Sequence, residues 1–328
     1  MRDPQDLYTL HPVPDGVDLA RPVLLHSLAG FLDAGGAGRL AVEQLLRTLD
    51  HTPLATFDVD AMYDYRARRP RMTFMSDHYE SVDLPELELS LLRDVAGTPF
   101  LLLHGVEPDF GWQGFVEAVR SLVDRFSVGL TVGMHAVPWP APHTRPVGLT
   151  AHATDPDLVA GRTSWVGALE VPGHLAGLLE LRLGRSGHQA MGFAAHVPHY
   201  LAGLEYPRAA LALLEAVSSA TGLMVPLDAL REAADRTDRE SDAQIALVAE
   251  NVEAVRELEQ QYDAFVAQRG GMPGGPVGEG VASASPGGLV GPRALPSDEE
   301  ISAQVERFLS DMDERGRDDG RPGGPEIR

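Results

Sequence analysis

Short apolar runs alternate with longer amphipathic ones through the first two-thirds of the chain, the pattern of an α/β domain. The runs predict strands at Pro22 to Leu28, Leu54 to Val59, Glu88 to Leu92, Pro99 to His104, Gly129 to Ala136 and Ala190 to Val197. Between them lie helices. Residues 33–49 carry Leu40, Leu45, Leu46 and Leu49 on one face, and residues 112–126 carry Phe115, Val119, Leu122, Val123 and Phe126 at the same period of 3.6. Leu175 to Leu183 and Ala209 to Thr221 read as two more, the second stopped by Gly222. The expected architecture is a mixed sheet with helices on both faces.

Beyond Pro226 the pattern becomes charged and helical. Ile245, Val248, Val252, Val255, Tyr262 and Val266 fall at alternating spacings of three and four, with Glu259 at the missing seam position, which favours a helical hairpin or a short oligomer seam over a long coiled coil. Residues 270–292 hold 13 Gly or Pro in 23 positions, too little apolar surface to offset the entropy of ordering. Ser297 and Glu300 then form an S-x-x-E capping box ahead of Ile301, Val305, Phe308, Leu309 and Met312, one apolar stripe. The expected organisation is an α/β core over 1–222, a helical hairpin over 223–269, a linker over 270–296, a tethered amphipathic helix over 297–315 and a disordered tail over 316–328. The stripe of that helix, Ile301, Val305 and Phe308, is a candidate contact with a partner.

Composition narrows the chemistry. The 328 residues include 27 basic and 48 acidic side chains, a formal charge of −21, which repels nucleic acid and anionic membranes. Every basic residue is Arg and there is no Cys. Schiff-base and pyridoxal chemistry, the P-loop lysine, thiol nucleophiles and Cys-zinc sites are therefore excluded. The N-terminus has no basic run followed by an apolar stretch, and no window approaches 18 apolar residues, so neither signal peptide nor membrane span is expected and the cytoplasm is the expected compartment.

Three constellations remain. Gly36-Ala37-Gly38-Arg39-Leu40-Ala41, with Asp58 and Asp60 some twenty residues on, imitates a dinucleotide fingerprint, but residues 29–35 separate the strand from the first glycine. Close packing of helix on sheet is the plainer role of these small residues, and an anion held by the amides of Gly35, Gly36 and Gly38 is an intermediate one. Arg66, Arg68, Arg69 and Arg71 crowd beside Tyr65; phosphate would suit Arg68 and Arg69, but in so acidic a chain pairing with Asp or Glu, within the fold or across a subunit interface, is the commoner outcome. Finally, His135, His143, His152, His196 and His199 lie at or after expected strand ends, where α/β sites sit. No H-E-x-x-H or G-x-S-x-G is present, so no metal, cofactor or serine triad is expected.

Five ordered segments together resemble the proteasome assembly chaperone 2 (PAC2) family in its actinobacterial form: LAGFLDAGGAGRLAVEQLL at 28–46, TFDVDAMYDYRARRPRMTF at 56–74, GVEPDFGWQGFVEAVRSLVDRF at 105–126, PHTRPVGLTAHAT at 142–154 and MGFAAHVPHYLAGLEYPRAALALLEAV at 191–217. The resemblance implies a nucleoside-phosphorylase-like α/β fold with a C-terminal helical extension, a homo-oligomer such as a trimer, and a non-catalytic role in holding proteasome α-subunits or another client. Members that dock by their tail end in a hydrophobic residue, Tyr and any residue; here the end is Glu326-Ile327-Arg328. Tyr65, Arg66, His143, Arg145, His199 and Tyr200, all inside these segments, are the candidate interaction residues. The alternative is a phosphorylase-like enzyme using Gly35, Gly36, Gly38 and Arg68 or Arg69 for phosphate and a histidine for proton transfer.

Overall fold

The computed structural model, which describes residues 4–162 and 170–269, contains ten strands and six helices. The strands are β1 (Tyr8–Leu10), β2 (Val23–Ala29), β3 (His51–Phe57), β4 (Met72–Met75), β5 (His78–Val82), β6 (Leu87–Arg93), β7 (Pro99–Val106), β8 (Leu130–Trp139), β9 (Leu149–Ala153) and β10 (Ala190–Pro198). The helices are α1 (Ala37–Thr48), α2 (Trp112–Arg125), α3 (Leu175–Arg185), α4 (Pro207–Thr221), α5 (Asp228–Ile245) and α6 (Ala249–Arg269). All six expected strands form. The linker, the tethered helix with Ile301, Val305 and Phe308, and the tail lie outside the described residues.

Eight strands make one sheet in the order β1-β3-β6-β7-β2-β8-β10-β9. Its centre, β7-β2-β8-β10, is parallel, and both flanks are antiparallel. Central strands covered on both faces must be apolar throughout, which is why β2, β7 and β10 read as runs rather than alternations. Leu25, Val132, Met134 and Phe193 pack beneath α1 and α4, while Leu24, Leu101 and Leu103 pack beneath α2 and α3. The connection after β2 thus goes to one face and that after β7 to the other. Adjacent parallel strands that diverge in this way leave a crevice at their carboxyl ends.

Pro207 opens α4, where its fixed φ costs no hydrogen bond, and Gly222 closes it in the left-handed region. The hairpin over 223–269 forms as two helices, but it does not begin a separate layer. Leu223, Leu230 and Ala234 are buried in the same cluster as α1 and α4, so the core runs past the Gly222 boundary. The seam is half-buried, with Val248 exposed: Glu259, its charged interruption, accepts hydrogen bonds from Thr144 and Arg145, and the Tyr262 hydroxyl donates to the carbonyl of Pro146. Among the described residues no helix is long and apolar enough to cross a membrane.

β4 and β5 stand apart as a two-stranded arm between β3 and β6, with every residue of both strands exposed. Alternation could not predict it, because Met72, Phe74, Met75, Tyr79 and Val82 put large apolar groups into solvent.

Candidate functional site

The carboxyl ends of β2 and β7 enclose a cleft of about 470 Å³, lined by Gly30, Phe31, Asp33, Gly36, Arg39, Arg68, Glu107 and Asp109. It brings together Gly36 and Arg68, two residues of the anion-binding expectation, but the groups that would hold an anion are already engaged. Asp33 accepts from the amides of Gly38 (2.6 Å) and Arg39 (3.1 Å), occupying the start of α1 where the backbone partial charge is positive. Burial pushes this carboxyl up despite those two bonds. Arg68 donates to Asp109 (2.8 Å) and to the Glu107 carbonyl (2.6 Å) and lies 4.4 Å above the Tyr63 ring. Burial works against the charge of Asp109, yet the Asp64 amide and Arg68 hold its carboxyl below the usual range. Arg39 is bound by Glu43 and Glu205.

The other glycines of this expectation serve packing. Gly35 exchanges backbone hydrogen bonds with Ala202 and Tyr206, both 2.8 Å, tying the loop after β2 to the turn before α4. A side chain at Gly38 would meet the Ser27 hydroxyl at 2.3 Å, so this glycine lets α1 lie against β2. Arg66, Arg69 and Arg71 are exposed and make no ion pair among the described residues, and Arg69 is not among the residues lining the cleft. Tyr65 donates to Asp60 (2.6 Å), a bond that pushes its phenol up to about 12. Among the described residues no histidine lines the cleft.

His143, Tyr200 and Arg145 converge elsewhere, on the helical hairpin. His143 is buried; its Nδ1 lies 2.8 Å from the Tyr200 hydroxyl and its Nε2 3.0 Å from Asp242 of α5. Arg145 binds Asp263 of α6 through two hydrogen bonds of 2.9 and 2.8 Å, and this pairing holds the Asp263 carboxyl below the usual range. These candidate interaction residues thus clamp the extension to the core. His199 and Tyr200 also line a groove of about 680 Å³ with Leu201, Leu204, Ile245, Val255 and Leu258.

A polar layer that sequence reading found only in part sits under α3. In the sheet register His26 of β2, Gly133 of β8, Gly192 of β10 and His152 of β9 form one row. The two imidazoles lean over the two glycines, since an added Cβ would lie 2.9 Å from His26 Cε1 at Gly133 and 2.4 Å from His152 Cε1 at Gly192. His135 lies two residues beyond Gly133, with ring centroids 5.3 Å from His152 and 5.5 Å from His174. Glu180 of α3 pairs with His152 at 2.9 Å. Burial, then the charges of neighbouring histidines, pushes His135 down to about 3, and burial pushes His26 down to about 4. Among the described residues no group of three or more His, Asp or Glu is placed to hold a metal ion. His26, His174, Glu107 and Glu180 were not singled out in the sequence, because only strand register reveals that they meet.

Comparison with known proteins agrees with this architecture. The model of the PAC2 family matches residues 27–245. A Mycobacterium tuberculosis protein of unknown function, Rv2714, is 45% identical with a TM-score of 0.78, over 80% of this chain and 91% of its own. A protein of unknown function from Corynebacterium glutamicum is 36% identical with a TM-score of 0.76, over 80% and 98%. A proteasome-assembly chaperone homologue from M. tuberculosis, Rv2125, is 29% identical with a TM-score of 0.65, over 71% and 99%. The comparison with curated proteins gives no match. With its mixed sheet, covering helices and helical extension, and with the family match spanning most of its length, the chain belongs to the PAC2 family.

Proposed function

We propose that this chain is a non-catalytic, self-associating protein that holds a protein client, with proteasome α-subunits as the first candidate. The observation that carries the reading is the arm. A two-stranded ribbon has no stability of its own in water, and large exposed apolar side chains grouped on one element mark a surface made for another protein. Phe74 and Tyr79 pack edge to face on it with centroids 5.1 Å apart, while 56% and 69% of their surfaces face solvent. Beside it, Arg66, Arg69 and Arg71 make no ion pair among the described residues of a chain of charge −21, so a second copy of this acidic protein supplies the counter-charge. Self-association through the arm, in a closed ring such as a trimer, covers this surface. The kinship with a proteasome-assembly chaperone homologue supports the client class.

The test has two parts. Light scattering of the full chain at low micromolar concentration reads the assembly; a mass of one subunit, 35.3 kDa, overturns the self-association. Affinity capture from the native cells, followed by titration of purified α-subunits against the tagged protein, reads the client. Absence of a saturable complex with α-subunits removes that client.

A further inference from the structure

The N-terminus of α3 is held in an uncommon way. Its N-cap is His174, whose Nδ1 accepts from the Gly177 amide at 3.2 Å, and the Leu175 amide donates to Glu107 Oε1 at 2.7 Å. Caps are ordinarily Ser, Thr, Asp or Asn, whose side-chain oxygens accept at any pH near neutrality. An imidazole accepts at Nδ1 only while neutral, because the protonated ring carries hydrogen on both nitrogens. The second holder, Glu107, belongs to the cleft between β2 and β7, and its other oxygen accepts from the Phe31 amide at 3.2 Å. One turn of helix therefore connects the histidine layer to the cleft.

We propose that the first turn of α3 is an acid-released latch: protonation of His174 breaks the N-cap, the turn opens, and the Glu107 carboxylate loses its Leu175 partner and is freed into the cleft. The remainder of the helix stays docked, because Leu179 and Leu183 are fully buried in the apolar cluster shared with α2.

The surroundings of His174 decide whether the proton is accommodated. From β8 it faces His135; from β9, His152, which is already paired with Glu180; and from β2, His26 lies within electrostatic reach of the ring. From the loop after β7 it faces Glu107, whose carboxylate favours the proton and, among the described residues, is held by the backbone amides of Phe31 and Leu175. β10 contributes Gly192 and Ala194 to this region, with His196 stacked further along on Trp139. α2 meets α3 near Arg182 and Glu117, away from the first turn. Burial outweighs Glu107 and keeps the His174 imidazole below its ordinary range. The latch is thus shut at neutral pH and opens only as the pH falls below the ordinary imidazole range. It does not rest on the client reading, since its readout is the helix itself.

Amide hydrogen exchange of the full chain at pH 7.5 and 5.5, each normalised to the intrinsic rate at that pH, tests it. Peptides covering residues 175–178 are expected to lose protection by about fivefold or more at the lower pH, the factor an N-cap contributes to an opening equilibrium. In His174→Asp, whose carboxylate caps at both pH values, the selective loss at 175–178 should vanish. Equal protection of that turn at both pH values overturns the proposal, as does a loss that persists in the variant. Should the variant not fold, the unmodified protein still decides: the NMR titration midpoint of His174 must coincide with the midpoint for loss of protection, and a separation of one pH unit or more refutes the latch.

Discussion

Lowering the pH from 7.5 to 5.0 should destabilise this protein sharply, although it is acidic and mild acidification relieves its internal repulsion. His26 and His196 are only 2% and 4% exposed, and burial lowers each to about 4. The folded chain keeps both neutral down to that value, whereas in the unfolded chain they take up protons below about 6.5. The unfolded state therefore binds more protons between these limits, and stability falls as pH drops through that window and is unaffected above about 7. At pH 5.0 the gap to the unfolded value is about 1.5 units, or about 2 kcal/mol for each imidazole, so the pair removes about 4 kcal/mol. That is a large share of the roughly 5–15 kcal/mol that holds a domain folded. His104, pushed down to about 4, and His135 act in the same direction; Asp33, pushed up by burial, acts against them. Chemical denaturation at the two pH values measures the effect. His196→Gln, which places an amide where Nε2 meets the Thr150 hydroxyl at 2.8 Å, should narrow the difference by about 2 kcal/mol. A wild-type stability that is equal or greater at pH 5.0, or a variant with an undiminished pH dependence, would refute the reasoning.

Four further outcomes follow from the packing. Gly105→Ala should cost about 3 kcal/mol or more in denaturant titration, since φ there is +123° and a Cβ would fall 2.0 Å from the Glu86 carbonyl oxygen. Asp33→Ala leaves the Gly38 and Arg39 amides without their acceptor and should lower stability by about 1–2 kcal/mol, read by the same titration. Leu230→Ala, in the part of α5 that joins the core, should cost about 2–4 kcal/mol, and truncation after Gly222 should give a fragment less stable still or insoluble. Phe74→Asp combined with Tyr79→Asp should leave the thermal midpoint within about 2 °C, because both residues are exposed in the single chain, while light scattering shows the assembly reduced to single subunits; an unchanged mass removes the arm from the interface.

The parts of the fold that were legible in the sequence are those whose burial leaves a periodic trace. β2, β7, β8 and β10 are long apolar runs because both faces are covered, and α1, α2 and α4 show one clean stripe each. β1 and β9 left no trace: three and five residues at the sheet edges, with Tyr8, Thr9, Thr150 and His152 among them, are too short and mixed to set a period. The expected start of α1 at Asp33 falls four residues early because Gly35 and Gly36 take left-handed conformations that break the helix from the loop. At the candidate site, the nearness of Gly36 and Arg68 was legible as a pattern of residue types. That Asp33 already occupies the amides was not, since a carboxylate five residues upstream reads equally well as a solvated side chain. The histidine layer escaped for a different reason: His26 and His152 are 126 positions apart in sequence and become row-mates only through the pairing of β2, β8, β10 and β9.

The strand order also sets a timetable for folding. β3, β6 and β7 pair antiparallel with near neighbours in sequence, so that flank of the sheet can assemble as soon as the first hundred or so residues are available. β2 cannot join at that stage with both edges satisfied: it precedes them all, yet its partners are β7, where Leu24 meets Leu101, and β8, where Val23 meets Leu130. β10, which closes the parallel centre, comes later still, and only then can α3 and α4 seal both faces. During synthesis the most apolar strand of the first fifty residues therefore waits, edge unpaired, for chain that has not yet left the ribosome. A sheet with this connectivity is expected to refold more slowly than one built from local pairings alone.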